Sequence, residues 1–254
     1  MKEFKTFFIL LVLALPALLA ASAPAPVSSA ALGTVDYEVC YKSRGLETKV
    51  ADASVSLGNG TWDGQSVLHA HAVIHAASIF RLFMNAEYTA DAYLAKGGGV
   101  EPLYYKNPVK RTGKFECIYD PSAKTVSTEF VRPPSDPVLN TIPLDGKTMD
   151  LLSLLQYVRF ADIPSGSSQS MHVLKAGLSV PATLSSQGRD TERFPDQASE
   201  RFLLELKEKG LMENGSGNRI VVWRSTGSDR RLLGLEVGLG SGVMCVRIKT
   251  AELP

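Results

Sequence analysis

The sequence predicts a mainly β protein: a single strongly curved antiparallel sheet, half-barrel or barrel-like, with one packed helix near residues 148–158, after a signal peptide. Three observations predict it. Segments in which apolar and polar residues alternate recur between Gly-, Pro-, Asn- and Asp-rich turns, about ten of them in all. Arg219 to Lys249 reads as a three-strand meander. Its apolar runs flank the polar turn Thr226–Asp229, and a third run follows a turn rich in glycine at Gly238, Gly240 and Gly242. Capped helical periodicity is found in one place, from Thr148 to Val158.

With 254 residues, 44% hydrophobic and 21% charged, the chain can bury a substantial core. The formal charge is +1; residues 1–30 hold Lys2, Lys5 and Glu3, so the remainder carries 25 charges of each sign. Such a balance gives no electrostatic basis for nucleic acid or an acidic lipid surface as partner.

Lys2 and Lys5 precede an almost wholly apolar run, Phe7 to Ala20, followed by small residues. The run falls short of the ~20 residues a helix needs to cross a bilayer, and Pro16 lies inside it, which fits a cleavable leader. Residues 1–23 are therefore read as a signal peptide ending at Ala21-Ser22-Ala23, with Ser28-Ser29-Ala30 as the alternative cut. Residues 24–34 then form a flexible tether and 35–250 a single β-rich domain, with no stable membrane span after cleavage. Export makes Cys40, Cys117 and Cys245 of interest. An odd number leaves at least one free. All three sit in strand-like apolar runs, where a free cysteine acts as a small hydrophobe, and that reading is preferred to a disulfide. No CxxC pair supports a redox or zinc motif.

In chain order, Tyr37, Val39 and Tyr41 alternate with Asp36, Glu38 and Lys42 as a half-buried first strand. Val50 to Leu57 alternates again, and Asn59-Gly60 predicts a hairpin turn after it. Asn59-Gly60-Thr61 and Asn214-Gly215-Ser216 match the glycosylation acceptor pattern but are read as turns. Val67 to His75 is a third strand. A period of two puts His69, His71 and His75 on one face, which makes them weak candidates for metal ligation, with no carboxylate in the strand itself. Ile79 to Met84 reads as a short helical turn, Glu87 to Leu94 as a strand, and Gly97-Gly98-Gly99 as a plain loop. The basic cluster Lys106 to Arg111 is expected to be a solvated turn. Strands at Lys114–Tyr119 and Thr125–Val131 flank Asp120-Pro121-Ser122, and the proline-rich Arg132–Pro143 reads as a crossing loop.

Thr148 is the predicted cap of the helix, Asp150 favours its first turn, and apolar residues recur at Met149, Leu152, Leu155 and Tyr157–Val158. Arg159 is expected to meet the last carbonyls. Ser170–Ala176 and Val180–Gln187 follow as strands, and Gly188–Ser199 as a mobile polar stretch. Arg201–Lys209 fits a strand and a helix about equally.

The helix Asp150-Leu-Leu-Ser153-Leu-Leu-Gln-Tyr157-Val-Arg159 and the following Trp223, Ser225, Asp229 and Arg231 resemble the bacterial domain-of-unknown-function family 3108. Tyr37, Val39 and Tyr41 match that family's opening strand. The resemblance implies an exported, mainly antiparallel β protein of the Gram-negative envelope, in the periplasm, and makes Arg201–Lys209 a strand. It implies no catalytic residues.

No nucleophile, zincin or Cys–His pattern is present, so the expected function is non-enzymatic binding of an apolar or amphiphilic, lipid-like ligand or of an envelope protein. Tyr37, Tyr41, Tyr157 and Trp223 are the candidate cavity lining, and no cofactor is expected. An envelope scaffold is the alternative. A hydrolase using the His69/His71/His75 face ranks below it.

Overall fold

The computed structural model describes residues 31–78, 87–96, 100–109, 113–131, 135–144, 146–175, 177–207 and 218–249. Residues 1–30, which include the expected signal peptide, lie outside them, as do Ile79–Met84, Gly97-Gly98-Gly99 and Asn214. Among the described residues, fifteen strands form one sheet. They are β1 (Gly33–Ser43), β2 (Leu46–Trp62), β3 (Gln65–Ala76), β4 (Glu87–Ala95), β5 (Pro102–Val109), β6 (Gly113–Asp120), β7 (Thr125–Val131), β8 (Val138–Pro143) and β9 (Thr148–Met149). After helix α1 (Leu151–Phe160) come β10 (Ser168–Lys175), β11 (Leu178–Asp190), β12 (Ser199–Leu206), β13 (Arg219–Ser225), β14 (Leu232–Leu239) and β15 (Gly242–Ile248).

The strand order is β8-β7-β6-β5-β4-β3-β2-β1-β15-β14-β13-β12-β11-β10-β9. Every neighbour is a neighbour in sequence except β1 and β15, which bring the two ends of the domain together at mid-sheet. The two edge strands, β8 and β9, are also consecutive in the chain. From Pro143 to Thr148 the backbone reaches at most about 18 Å, so the edges approach and the sheet curls toward a barrel. At the seam Asn140 Nδ2 donates to the Gly177 carbonyl at 3.0 Å. Gly177 has φ +80°, and a Cβ there would stand 3.2 Å from Asn140 Nδ2, so glycine suits both the backbone and the close approach.

Register explains the inner face of the sheet. Val55, Ala72 and Ala90 pair across β2, β3 and β4, while Val39, Val246, Leu235 and Val222 pair across β1, β15, β14 and β13. Residues on this inner face, from Leu68 and Leu94 through Met171 and Leu184 to Phe202, pack with Leu152, Leu154 and Val158 of α1. The helix lies against β3, β4 and β10, burying its apolar stripe as a lone amphipathic helix must.

Several expectations need correction. The hairpin turn is at Asp63-Gly64 (φ 47° and 73°), not at Asn59-Gly60, which continues β2. Both central residues of a two-residue primed turn need positive φ, and Asp-Gly supplies them; Arg44-Gly45 (φ 50° and 79°) does the same between β1 and β2. Lys106 to Val109 belongs to β5 rather than to a turn, because it pairs with Lys114–Glu116 and its flanking residues. Val138–Pro143 forms an edge strand, where a terminal proline costs no ladder bond. Helix α1 runs from Leu151 to Phe160, and its cap is Asp150; Thr148 lies in β9, whose pairing with β10 is parallel. The sheet is otherwise antiparallel. Arg201 to Leu206 is strand, and β11 extends to Asp190, into the stretch expected to be mobile.

Candidate functional site

Two constellations stand out, one inside the sheet and one on its outer face. The inner one consists of the motif residues around α1. The Asp150 carboxylate accepts from Ser153 N at 2.8 Å, from Ser153 Oγ and from Tyr119 Oη at 3.1 Å, while Asp150 N donates to Tyr119 Oη at 2.8 Å. Asp150 is fully buried, and burial raises its pKa against the pull of those donors. At the other end of α1, Arg224 Nη1 donates to the carbonyls of Val158 (2.7 Å) and Ala161 (2.8 Å), and Nη2 pairs with Glu200. Arg230 takes the Phe160 carbonyl at 2.7 Å. The orphan carbonyls of the last turn are thus capped by the β13–β14 hairpin.

Arg159 does not cap its own helix. It reaches the carbonyls of Ala31 at 2.6 Å and Arg230 at 3.1 Å, tying the start of the domain to the same hairpin. Ser225 Oγ accepts from Arg231 N and donates to Asp229. The buried polar groups of these residues thus find partners on other segments, as a helix wrapped inside a sheet requires. This network is structural: it fixes where α1 sits.

The outer constellation begins at β3. Asp91 Oδ1 lies 2.8 Å from His69 Nε2 and 2.7 Å from His71 Nδ1. The alternation of β3 puts both rings on the outer face, and the β3–β4 register sets Asp91 opposite His71 and Tyr93 opposite His69. The His69 ring stacks on Tyr93 with centroids 4.5 Å apart, and Trp62 stacks on Tyr104 at 4.0 Å. Tyr104 in turn donates to Glu116. Lys106 stands opposite both Asp91 and Glu116 in the ladders. The result is a half-exposed shelf of rings with two imidazoles and a carboxylate at its edge.

Of the sequence-predicted histidines, His69 and His71 come together. His75 lies further along and faces Glu87 at 3.5 Å. The third member of the cluster is Asp91. The candidate lining residues do not converge on one space. Tyr37 and Trp223 belong to a second core cluster, Tyr157 packs in the main one, and Tyr41 sits at the far end of β1, where its hydroxyl meets Ser241 Oγ at 2.7 Å. Tyr37 Oη donates to the Leu232 carbonyl, and Trp223 Nε1 to Asp190. Tyr157 Oη is shared with Lys147 and Gln169. All three cysteines are free and buried.

The geometry defines a barrel-like β protein with a clamped internal helix. No protein-family model matches the chain, and the resemblance to family 3108 is one of short motifs alone. No curated protein matches it. Among solved structures, it is similar to a β-barrel-like protein of domain of unknown function DUF1849 from Brucella abortus, at 8% identity and a TM-score of 0.48, over 85% of this chain and 94% of that one. It is also similar to Mycobacterium tuberculosis lipoprotein LppX, at 12% identity and a TM-score of 0.26, over 86% of this chain and 85% of that one. Among the described residues no helix is long and apolar enough to cross a membrane.

Proposed function

We propose that the protein is an exported, periplasmic binding module that holds an apolar or amphiphilic molecule against the inner face of its sheet. One observation carries the reading. The inner face continues as an apolar wall beyond the ten-residue helix, at Val55, Ala72, Leu235, Val237, Met244 and Val246, all only half-buried. An apolar concave wall left half-open is the usual bed for a ligand with a hydrocarbon part. On this reading the residues shared with family 3108 hold the helix that bounds the bed.

The test is native mass spectrometry of protein purified from a bacterial envelope, with a fluorescent fatty acid as probe. The expected result is a bound amphiphile and saturable probe binding, both lost in Val237→Asp with the far-UV spectrum unchanged. A clean unliganded mass together with no probe binding overturns it.

A second reading, a scaffold in an envelope assembly, is favoured by the outer face of β6–β8. There Ile118 and Leu139 are exposed in a groove of about 380 Å³ beside the edge strand, and an unpaired edge is a template for another strand. Co-purification of a fixed partner that Leu139→Lys abolishes would support this reading over the first.

A further inference from the structure

The His69–Asp91–His71 cluster lies on the face opposite the apolar wall and is independent of it. We propose that His69, His71 and Asp91 form a binding site for a divalent transition-metal ion of the zinc class. Their ligating atoms, His69 Nε2, His71 Nδ1 and Asp91 Oδ1, lie within 4.8 Å of one another. Two imidazoles and one carboxylate are the donor set of three-ligand zinc sites, in which further positions stay open to water. The site faces solvent, with the three side chains between 26% and 38% exposed, so an ion has direct access.

Ligation requires side-chain rotation that brings all three ligating atoms, now within 4.8 Å of one another, to one spacing. In a tetrahedral site with metal–ligand bonds of about 2.0–2.1 Å, ligand atoms stand about 3.3 Å apart. The His–Asp separations of 2.8 and 2.7 Å must therefore open by roughly half an ångström, which side-chain rotation supplies. Ligation uses His69 Nε2 and His71 Nδ1, the ring nitrogens that face Asp91. A ligating imidazole carries its hydrogen on the other ring nitrogen, Nδ1 of His69 and Nε2 of His71.

Support comes from the surrounding side chains and backbone. Stacking on Tyr93 fixes the plane of His69, with Trp62 5.2 Å beyond Tyr93. Ladder bonds on both sides of β3 hold the two histidine backbones in place. A rigid strand pair of this kind presents its ligands with little ordering cost.

The test is calorimetric titration of Zn(II) into the full chain. The proposal expects one ion per chain with micromolar or tighter affinity. His71→Ala and Asp91→Asn should each weaken it at least about tenfold, as loss of a ligand does, and His75→Ala should leave it unchanged. These side chains are partly exposed and outside both core clusters, so the variants should keep the native far-UV spectrum; Asp91→Asn, nearly isosteric, guards against misfolding in the alanine variant. Two results overturn the proposal: no saturable binding below about 100 μM, or binding that survives in both His71→Ala and Asp91→Asn.

Discussion

Arg224 Nη1 donates to the carbonyl oxygen of Val158 at 2.7 Å, across 66 residues of chain. A guanidinium from β13 thereby caps the last turn of α1. It also stacks over Phe202, 4.7 Å from the ring centroid.

Replacing Arg224 by alanine should therefore destabilise the fold by about 3 kcal/mol, because it orphans buried helix carbonyls and leaves Glu200 without its partner. Arg224→Lys should recover less than half of that, since an ammonium cannot serve the carbonyls and Glu200 together. Urea unfolding of the variants measures both losses. A cost below about 1 kcal/mol for Arg224→Ala, the size of an ordinary surface change, would contradict the clamp.

At the other end of the helix, Asp150→Ala should cost roughly 2 kcal/mol, the cap plus the stranded Ser153 and Tyr119 hydroxyls. Asp150→Asn should cost less than half as much. Its amide oxygen still accepts from Ser153 N, and no charge has to be buried, which is the term that raises the Asp150 pKa. Because that pKa is raised, ionisation of Asp150 works against the fold. Its share of stability is present in acid and declines as pH rises through the folded pKa, and Asp150→Asn should remove this decline.

These contacts explain which parts of the molecule were legible in the sequence. Alternation located most of the strands because each has one face in the core. The β13–β15 meander was legible whole, since its polar turns interrupt strong apolar runs. Pairing was harder to read. Asp63-Gly64 fixes the β2–β3 register through a two-residue turn, but the longer connection from β3 to β4 fixes nothing locally, so Asp91 could not be placed beside His71. The helix cap was missed by two residues because Thr148 and Asp150 are both good cap types, and the choice is made by Tyr119, 31 positions away from Asp150. Arg159 reads as a partner for its own helix's last carbonyls and Arg224 shows no role, because carbonyl acceptors on distant segments leave no mark in a sequence.

Cys40 and Cys245 face each other across the β1–β15 ladder, and Cys117 is buried in the main core. Burial, aided by Glu38, pushes the Cys40 thiol up to about 12, and burial raises Cys245 as well. Thiols held protonated are poor nucleophiles. Native protein should therefore react slowly with a disulfide reagent at neutral pH, and unfolded protein should release signal for all of its cysteines, three per chain. One thiol per unfolded chain instead would mean that the Cys40–Cys245 pair had closed into a bridge.

Glu47 on β2 reaches its neighbour β1 and, beyond it, β15. Arg247 contacts it at 2.7 and 2.9 Å, and Lys42 at 3.2 Å. Hydrogen bonds from Arg247, with Lys42 adding to them, hold its carboxyl at about 2, below the ordinary 4.5. A carboxylate whose folded pKa is depressed adds stability that is complete above the unfolded value and is lost as pH falls through the folded one. For Glu47 that window runs from about 4.5 down to about 2. Asp52, held low by Lys49, adds to the same slope. Denaturation midpoints measured across this range should fall steeply for the native chain and less steeply for Glu47→Gln, with the two curves converging at the acid end. The side chain is about a third exposed, so added salt should shrink the difference between the curves. Parallel curves over the whole range would show that Glu47 is not held by Arg247 in solution.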